Sequence, residues 1–271
     1  MPELPEVETT VRGLVPVLEG ERIERLELMR PDLRRPFPQD LVQRMVGARV
    51  TALSRRAKYG LIATDRDDVM IFHLGMSGRW RIDAERHEKH DHLRLLTEAG
   101  RWLALNDPRR FGSVDLVTGD PEQSFAPFAA MGLEPLSDAF DAGVLAQAIA
   151  GRAAPIKQLL LDQNIVAGLG NIYVCEALFI AGIAPMRAGR DVPRVKLKRL
   201  VVAIKAVLTA AIVAGGSSLK DFVHPDGQLG YFSHAWRVYG REGQMCSGCA
   251  EPIARLVQGG RSTFYCPRCQ A

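Results

Sequence analysis

At 271 residues, with 47% hydrophobic and 24% charged side chains, the chain has a globular composition and is long enough for one or two buried cores. A formal charge of +4 and an isoelectric point near 8.9 make it mildly basic, which is compatible with a nucleic-acid partner but does not identify one. No apolar run of about 18 residues predicts a membrane-spanning helix. The N-terminus also lacks the basic-then-apolar pattern of a secretory signal, so a cytoplasmic protein with reduced thiols is expected.

The chain opens on "MPELPEVETT". Pro5 with carboxylates at Glu6 and Glu8 is helix-start chemistry, and Val7, Val11, Leu14 and Leu18 fall on one helical face. Pro16 is expected to end the first regular stretch. Pro2 and Glu3 precede the helix and are not explained by it.

Residues 22–118 read mostly as short alternating or apolar strands punctuated by Gly and Asp, the pattern of an antiparallel sandwich or barrel. Within this region "SRRAKYG" is a basic cluster at a strand end, either a solvated edge or a strand facing nucleic acid. "LGMSGR" presents Met76 between glycines, and "DPRRFG" places Arg109, Arg110 and Phe111 on a turn. Apolar tips of this kind can wedge between bases. In "KHDHL", His90 and His92 alternate and are expected to share a strand face, but no third ligand is near enough to suggest a metal.

A looser stretch, "PLSDAFDAG", follows, and then the pattern turns helical. "GLGNIY" joins two predicted helices, and Asn171 there either caps the second helix or donates to a phosphate. A long helix is expected to bury Leu197, Leu200, Ile204, Val207, Leu208, Ala211 and Ile212. "GGSSLKDFVHPDGQLGYFSH" reads as a polar loop. The tail carries Cys246, Cys249, Cys266 and Cys269 as two C-x2-C pairs, the spacing of a closed tetrahedral zinc site with a structural role. A hairpin turning at Gly259–Gly260 would put Arg261 at its tip, as a solvated arginine or a phosphate contact. Cys175 stands alone in a predicted helix and is expected to be buried as a small apolar residue.

Pro2 becomes the N-terminal residue if the initiator methionine is removed. Its secondary amine, of α-amino type with a reference pKa near 7.7–8.0 against about 10.4 for lysine, is a ready nucleophile toward a sugar C1′. The cationic iminium so formed favours elimination at the next carbon, and the adjacent Glu3 can move the protons.

Taken together, "MPELPEVE", "AKYG", "LGMSGR", "DPRRFG", "GLGNIY" and "GRSTFYCPRC" resemble the formamidopyrimidine-DNA glycosylase family, in the family's order and over nearly the whole chain. The resemblance implies an α+β fold: an N-terminal antiparallel β-sandwich with an N-terminal helix (1–134), a helix–two-turn–helix domain with a lesion-capping loop (135–235) and a C-terminal β-hairpin zinc finger (236–271). It implies removal of oxidised purines, notably 8-oxoguanine and formamidopyrimidines, followed by cleavage of the abasic strand. Pro2 would form the Schiff base, Glu3 would donate the proton, Lys58 would support β-elimination and Arg261 δ-elimination. Met76, Arg109 and Phe111 would fill the gap left by the flipped nucleotide. His90, Arg110, Arg152, Lys157, Asn171 and Tyr239 match positions that hold the DNA backbone, and the loop around 217–232 matches the segment that closes over the flipped base. The expected cofactor is one structural Zn2+. The expected partner is damaged double-stranded DNA, bound by a monomer in the cytoplasm and at the nucleoid. Two other readings are an endonuclease VIII-like glycosylase for oxidised pyrimidines and a non-catalytic damage-binding zinc protein; intact Pro2, Glu3 and Lys58 argue against the second.

Overall fold

The computed structural model describes residues 2–217 and 232–270. The chain divides into two compact units, Met1–Ala129 with Ala214–Ser233, and Ala130–Val213 with His234–Ala271.

The first unit begins with α1 (Leu4–Leu18), whose apolar face buries Val7, Val11, Leu14 and Leu18. Pro16 lies inside this helix and does not end it. So close to the C-terminus, a proline removes one hydrogen bond and the last residues still close the turn. Then come β1 (Ile23–Leu28), a one-turn helix α2 (Leu41–Met45) and seven strands: β2 (Val50–Arg56), β3 (Tyr59–Thr64), β4 (Asp68–His73), β5 (Arg79–Ile82), β6 (Asp91–Thr97), β7 (Trp102–Asn106) and β8 (Ser113–Thr118). They form two four-stranded antiparallel sheets, β1-β6-β7-β5 and β2-β3-β4-β8. Ile62, Met70 and Phe72 from one sheet meet Trp80, Leu93, Leu95 and Leu105 from the other in one core, which α1 and α2 complete. The expected sandwich is therefore present. Two single-turn helices, α3 (Pro121–Ser124) and α4 (Ala126–Ala129), end this part.

The second unit is built on α5 (Ala142–Ile149), α6 (Ile156–Leu161), α7 (Asn171–Ala181) and α8 (Arg194–Val213). α5 begins inside the stretch read as loose: the Asp141 side chain caps it by accepting the Val144 N–H at 2.8 Å. α7 buries nine of its eleven residues, so it carries no amphipathic stripe and forms the centre of the unit. α8 buries the expected face except Ile212, which is only half-buried. The chain ends in the hairpin β9 (Ala254–Gln258) and β10 (Arg261–Tyr265). Gly259 and Gly260, at φ of 54° and 73°, form its two-residue turn, the left-handed pair that matches strand twist.

Candidate catalytic residues, nucleic-acid interface and metal centre

The three glutamates of the opening stretch have three different tasks. Glu3 is the N-cap of α1, and its side chain and that of Glu6 cap each other's backbone N–H groups. Glu6 accepts the Glu3 N–H at 2.8 Å on one oxygen and the Ser217 N–H at 2.8 Å on the other. A buried carboxylate thus holds both the catalytic candidate Glu3 and the first residue of the segment expected to cap the lesion. Residues 218–231 of that segment lie outside the described residues. Glu8 receives Arg55 of β2 at 2.9 Å and Arg12 at 2.8 Å. Burial raises the Glu8 pKa, but hydrogen bonds from the two guanidinium groups outweigh it and hold the carboxyl below the usual range. Pro2 is buried immediately before this capped turn.

Lys58 occupies the two-residue turn between β2 and β3, beside Ala57 at φ 53°. Arg55 steadies that turn by donating to the Ala57 carbonyl at 2.9 Å. Lys58 is only 7% exposed, and its charge acts on His73 at the end of β4. Burial first, then the positive charges of Lys58, Arg34 and Arg35, pull the His73 pKa down to about 4. His73 immediately precedes "LGMSGR", yet it was not singled out in the sequence, because a histidine ending an apolar run carries no signal of its neighbours.

Met76 lies in the loop between β4 and β5, half-buried, and Phe111 lies in the loop between β7 and β8, 45% exposed. The Arg109 guanidinium sits over the Phe111 ring at 5.0 Å from its centroid, a cation–π pair. Ser77 donates to Asp107 at 2.6 Å and accepts the Arg109 N–H at 3.1 Å. Neither Ser77 nor Asp107 stood out in the sequence, although both lie inside quoted motifs. Arg110 has φ 59° and pairs with Asp32 at 3.0 Å. The His90 and His92 rings meet edge-on with centroids 6.4 Å apart, but they differ in exposure: His90 is half-buried, whereas His92 is buried with its Nε2 2.9 Å from the Asp107 carbonyl. The ladder shifts register between Asp91 and Leu93, which breaks the simple alternation.

In the second unit, Arg152 is exposed, and its carbonyl accepts the Arg190 N–H at 3.0 Å. Lys157 has no exposed surface. Its ammonium donates to Thr263 Oγ1 at 2.6 Å and to the Ser262 carbonyl at 3.2 Å, so it braces β10 from below instead of offering a charge at the surface. Asn171 starts α7, and its Nδ2 donates to the same Ser262 carbonyl at 2.9 Å. Tyr239 packs edge-on to Trp236 and Phe264. Glu176 of α7, buried, accepts the N–H groups of Arg237, Val238 and Tyr239 at 2.9, 3.0 and 2.9 Å. Arg261 is exposed at the first position of β10, paired with Gln258 across the turn.

The sulfur atoms of Cys246, Cys249, Cys266 and Cys269 all lie within 4.8 Å of one another. Zn–S bonds of about 2.3 Å in a tetrahedron put sulfurs roughly 3.8 Å apart, and the observed 3.9 Å for Cys246–Cys269 and 3.4 Å for Cys249–Cys266 fit that cage. Backbone N–H groups of Gly248 and Cys269 point at the Cys246 and Cys266 sulfurs, each at 3.4 Å. Such donors stabilise thiolates. Cys175 is buried against this cluster with Phe179, Val238 and Ile253.

Three family descriptions match the chain in succession: the formamidopyrimidine-DNA glycosylase N-terminal domain over residues 1–114, its H2TH domain over 131–223, and a zinc finger found in FPG and IleRS over 243–271. The four cysteines accordingly hold one structural zinc. Formamidopyrimidine-DNA glycosylases of Sphingopyxis alaskensis and Rhizorhabdus wittichii are 67% and 64% identical over 270 residues, covering all of both chains in each case. The crystal structure of the MutM (Fpg) protein from Thermus thermophilus superposes with a TM-score of 0.90 at 37% identity, covering 99% of this chain and 98% of that one. The Lactococcus lactis Fpg complex with DNA containing an abasic site gives 0.90 at 33% identity and covers 99% of each chain. By full-length similarity and by fold, the chain belongs to the formamidopyrimidine-DNA glycosylase family.

Proposed function

We propose that this base-excision-repair enzyme removes oxidised purines from double-stranded DNA through the amine of Pro2 and then cuts the abasic strand by β- and δ-elimination. Pro2 attacks C1′ of the flipped nucleotide, the glycosidic bond breaks, and the base leaves with the proton lost from the proline nitrogen; the sugar ring then opens at C1′–O4′ as Glu3 protonates O4′, which leaves an iminium between Pro2 and C1′. The resulting iminium acidifies C2′. Loss of a C2′ proton expels the 3′ phosphate with support from Lys58, and a second elimination assisted by Arg261 expels the 5′ phosphate. Met76, Arg109 and Phe111 fill the vacated stack. His90, Arg110, Arg152, Asn171 and Tyr239 hold the backbone, while Lys157 acts indirectly by bracing β10, the strand that begins with Arg261. The zinc fixes the finger and takes no part in the chemistry. Residues 1–134, 135–235 and 236–271 divide the work into catalysis, duplex grip and finger, in a monomer acting in the cytoplasm on nucleoid DNA.

The observation that carries this reading is the buried Pro2–Glu3 step at the head of α1, with Glu3 fixed on both sides by the capping interaction with Glu6. The Lactococcus lactis relatives captured with Fapy-dG-containing and abasic-site DNA support the substrate class. Borohydride reduction of the methionine-processed protein on an 8-oxoguanine:C duplex is expected to leave a covalent adduct that peptide mapping assigns to Pro2. An adduct at Lys58 would overturn the assignment.

A further inference from the structure

The two loops that carry the wedge residues come from different strand connections, and their backbones run in van der Waals contact. Gly75, at φ 62°, lies so close that a Cβ there would be 2.3 Å from the Phe111 carbonyl carbon. Contact alone would let the loops slide. A buried polar cluster prevents it. Asp107, 1% exposed, accepts the Ser77 hydroxyl on Oδ1 at 2.6 Å and the Gly112 N–H on Oδ2 at 2.8 Å. The Ser77 oxygen in turn accepts the Arg109 N–H at 3.1 Å, and the Asp107 carbonyl lies 2.9 Å from His92 Nε2 on β6. The Ser77–Asp107 and Arg109–Ser77 bonds run from loop to loop and the His92 contact runs from turn to sheet, while the Gly112 bond closes the 107–112 turn on itself. The residues on either side of the two anchors are the wedges themselves, because Met76 precedes Ser77 and Arg109 and Phe111 lie between Asp107 and Gly112.

We propose that Ser77 and Asp107 are positioning residues that clasp the two loops, so that Met76, Arg109 and Phe111 enter the duplex as one rigid body and Arg109 meets the estranged base in a fixed pose. The inference rests on the wedge roles proposed above. Its physical basis is that a guanidinium discriminates bases only when its donors are aimed. A hydrogen bond to a carboxylate, lost from a buried site, is a large penalty on that aim.

The test uses the full-length zinc protein and duplexes with a stable tetrahydrofuran site opposite C or A, so that binding is read without chemistry. The wild type is expected to prefer C by roughly 5- to 150-fold. In Ser77→Ala that ratio should fall to within about threefold of unity, while Ser77→Thr, which keeps the hydroxyl, retains it. In the wild-type background, the effects of Met76→Ala and Phe111→Ala on binding should be non-additive, and in Ser77→Ala they should become additive. If Ser77→Ala does not fold, Asp107→Asn is read in the same way. A folded Ser77→Ala that keeps the wild-type ratio and the coupling overturns the clasp. Absence of any 8-oxoguanine excision by the wild type would instead defeat the functional reading. The clasp would then be decided by amide exchange at Arg109 and Gly112, which must quicken in Ser77→Ala.

Discussion

Two ionisable side chains, the half-buried His73 and the buried Glu176, show what neighbours can make of a single residue. His73 is neutral at rest because burial and the nearby cations drop its pKa from 6.5 to about 4. Above pH 6.5 the imidazole is neutral whether the chain is folded or unfolded, so its contribution to stability is intact. As pH falls from 6.5 to about 4, the unfolded chain binds a proton that the folded one refuses, and stability is lost across that window. Thermal unfolding followed from pH 7 to pH 4 should therefore decline more steeply for the wild type than for His73→Asn, and equal slopes would contradict the assignment. Glu176 is a different case. Its carboxylate takes three consecutive backbone N–H groups at 237–239, the segment that carries Tyr239. Glu176→Ala orphans three donors and should cost about 3 kcal/mol or more in urea unfolding, with Glu176→Gln, which keeps an acceptor, losing less. Neither residue declared itself in the sequence, since a histidine after "VMIF" and a glutamate within "IYVCEALF" look like the ends and exceptions of apolar runs.

Within single elements, short-range chemistry was legible and its limits are visible. Glu3, which the sequence reading leaves outside the helix, is its N-cap: Glu3 and Glu6 stand three apart, the spacing of a capping box, and the helix rules needed only that pairing to include it. The same rules misjudged Pro16, because the cost of an internal proline depends on how many hydrogen bonds remain beyond it. They passed over α5, because an eight-residue helix gives too short a period to see. Strand pairing adds a constraint that no window of sequence contains. Gly60 of β3 lies opposite Phe72 of β4, and a Cβ there would sit 2.1 Å from the Phe72 ring. Gly60→Ala must displace a core aromatic and is expected to destabilise by about 1–3 kcal/mol. Combining it with Phe72→Leu, which shortens the opposing side chain, should recover part of that loss in chemical denaturation. If Gly60→Ala is neutral, β3 and β4 are not registered as described.

Across the whole molecule, zinc and sequence position divide the stability. The first unit contains no cysteine, whereas all five cysteines belong to the second, four of them in the finger. The finger's core is small, a few side chains around the sulfurs, so the metal supplies its folding energy. Chelation verified by metal analysis should leave the β-sheet circular dichroism in place while DNA affinity falls by at least about tenfold, since finger and helices share the phosphate contacts in the proposed complex. Unchanged affinity after complete zinc loss would show that the finger is dispensable for binding.

By itself the sequence determined whatever depends on near neighbours along the chain: the capped first helix, the C-x2-C knuckles, the glycine pair at the hairpin tip and the order of motifs that marks the family. Spacings of two to four residues fix these because the backbone itself holds such groups within reach of one another. Only the tertiary structure decided that Glu6 reaches Ser217 across 211 residues, that Lys157 is spent on Thr263 across 106, and that Ser77 locks onto Asp107 across 30. Those pairings are set by which surfaces pack together inside each unit, and burial is a property of the packed chain that no local pattern records.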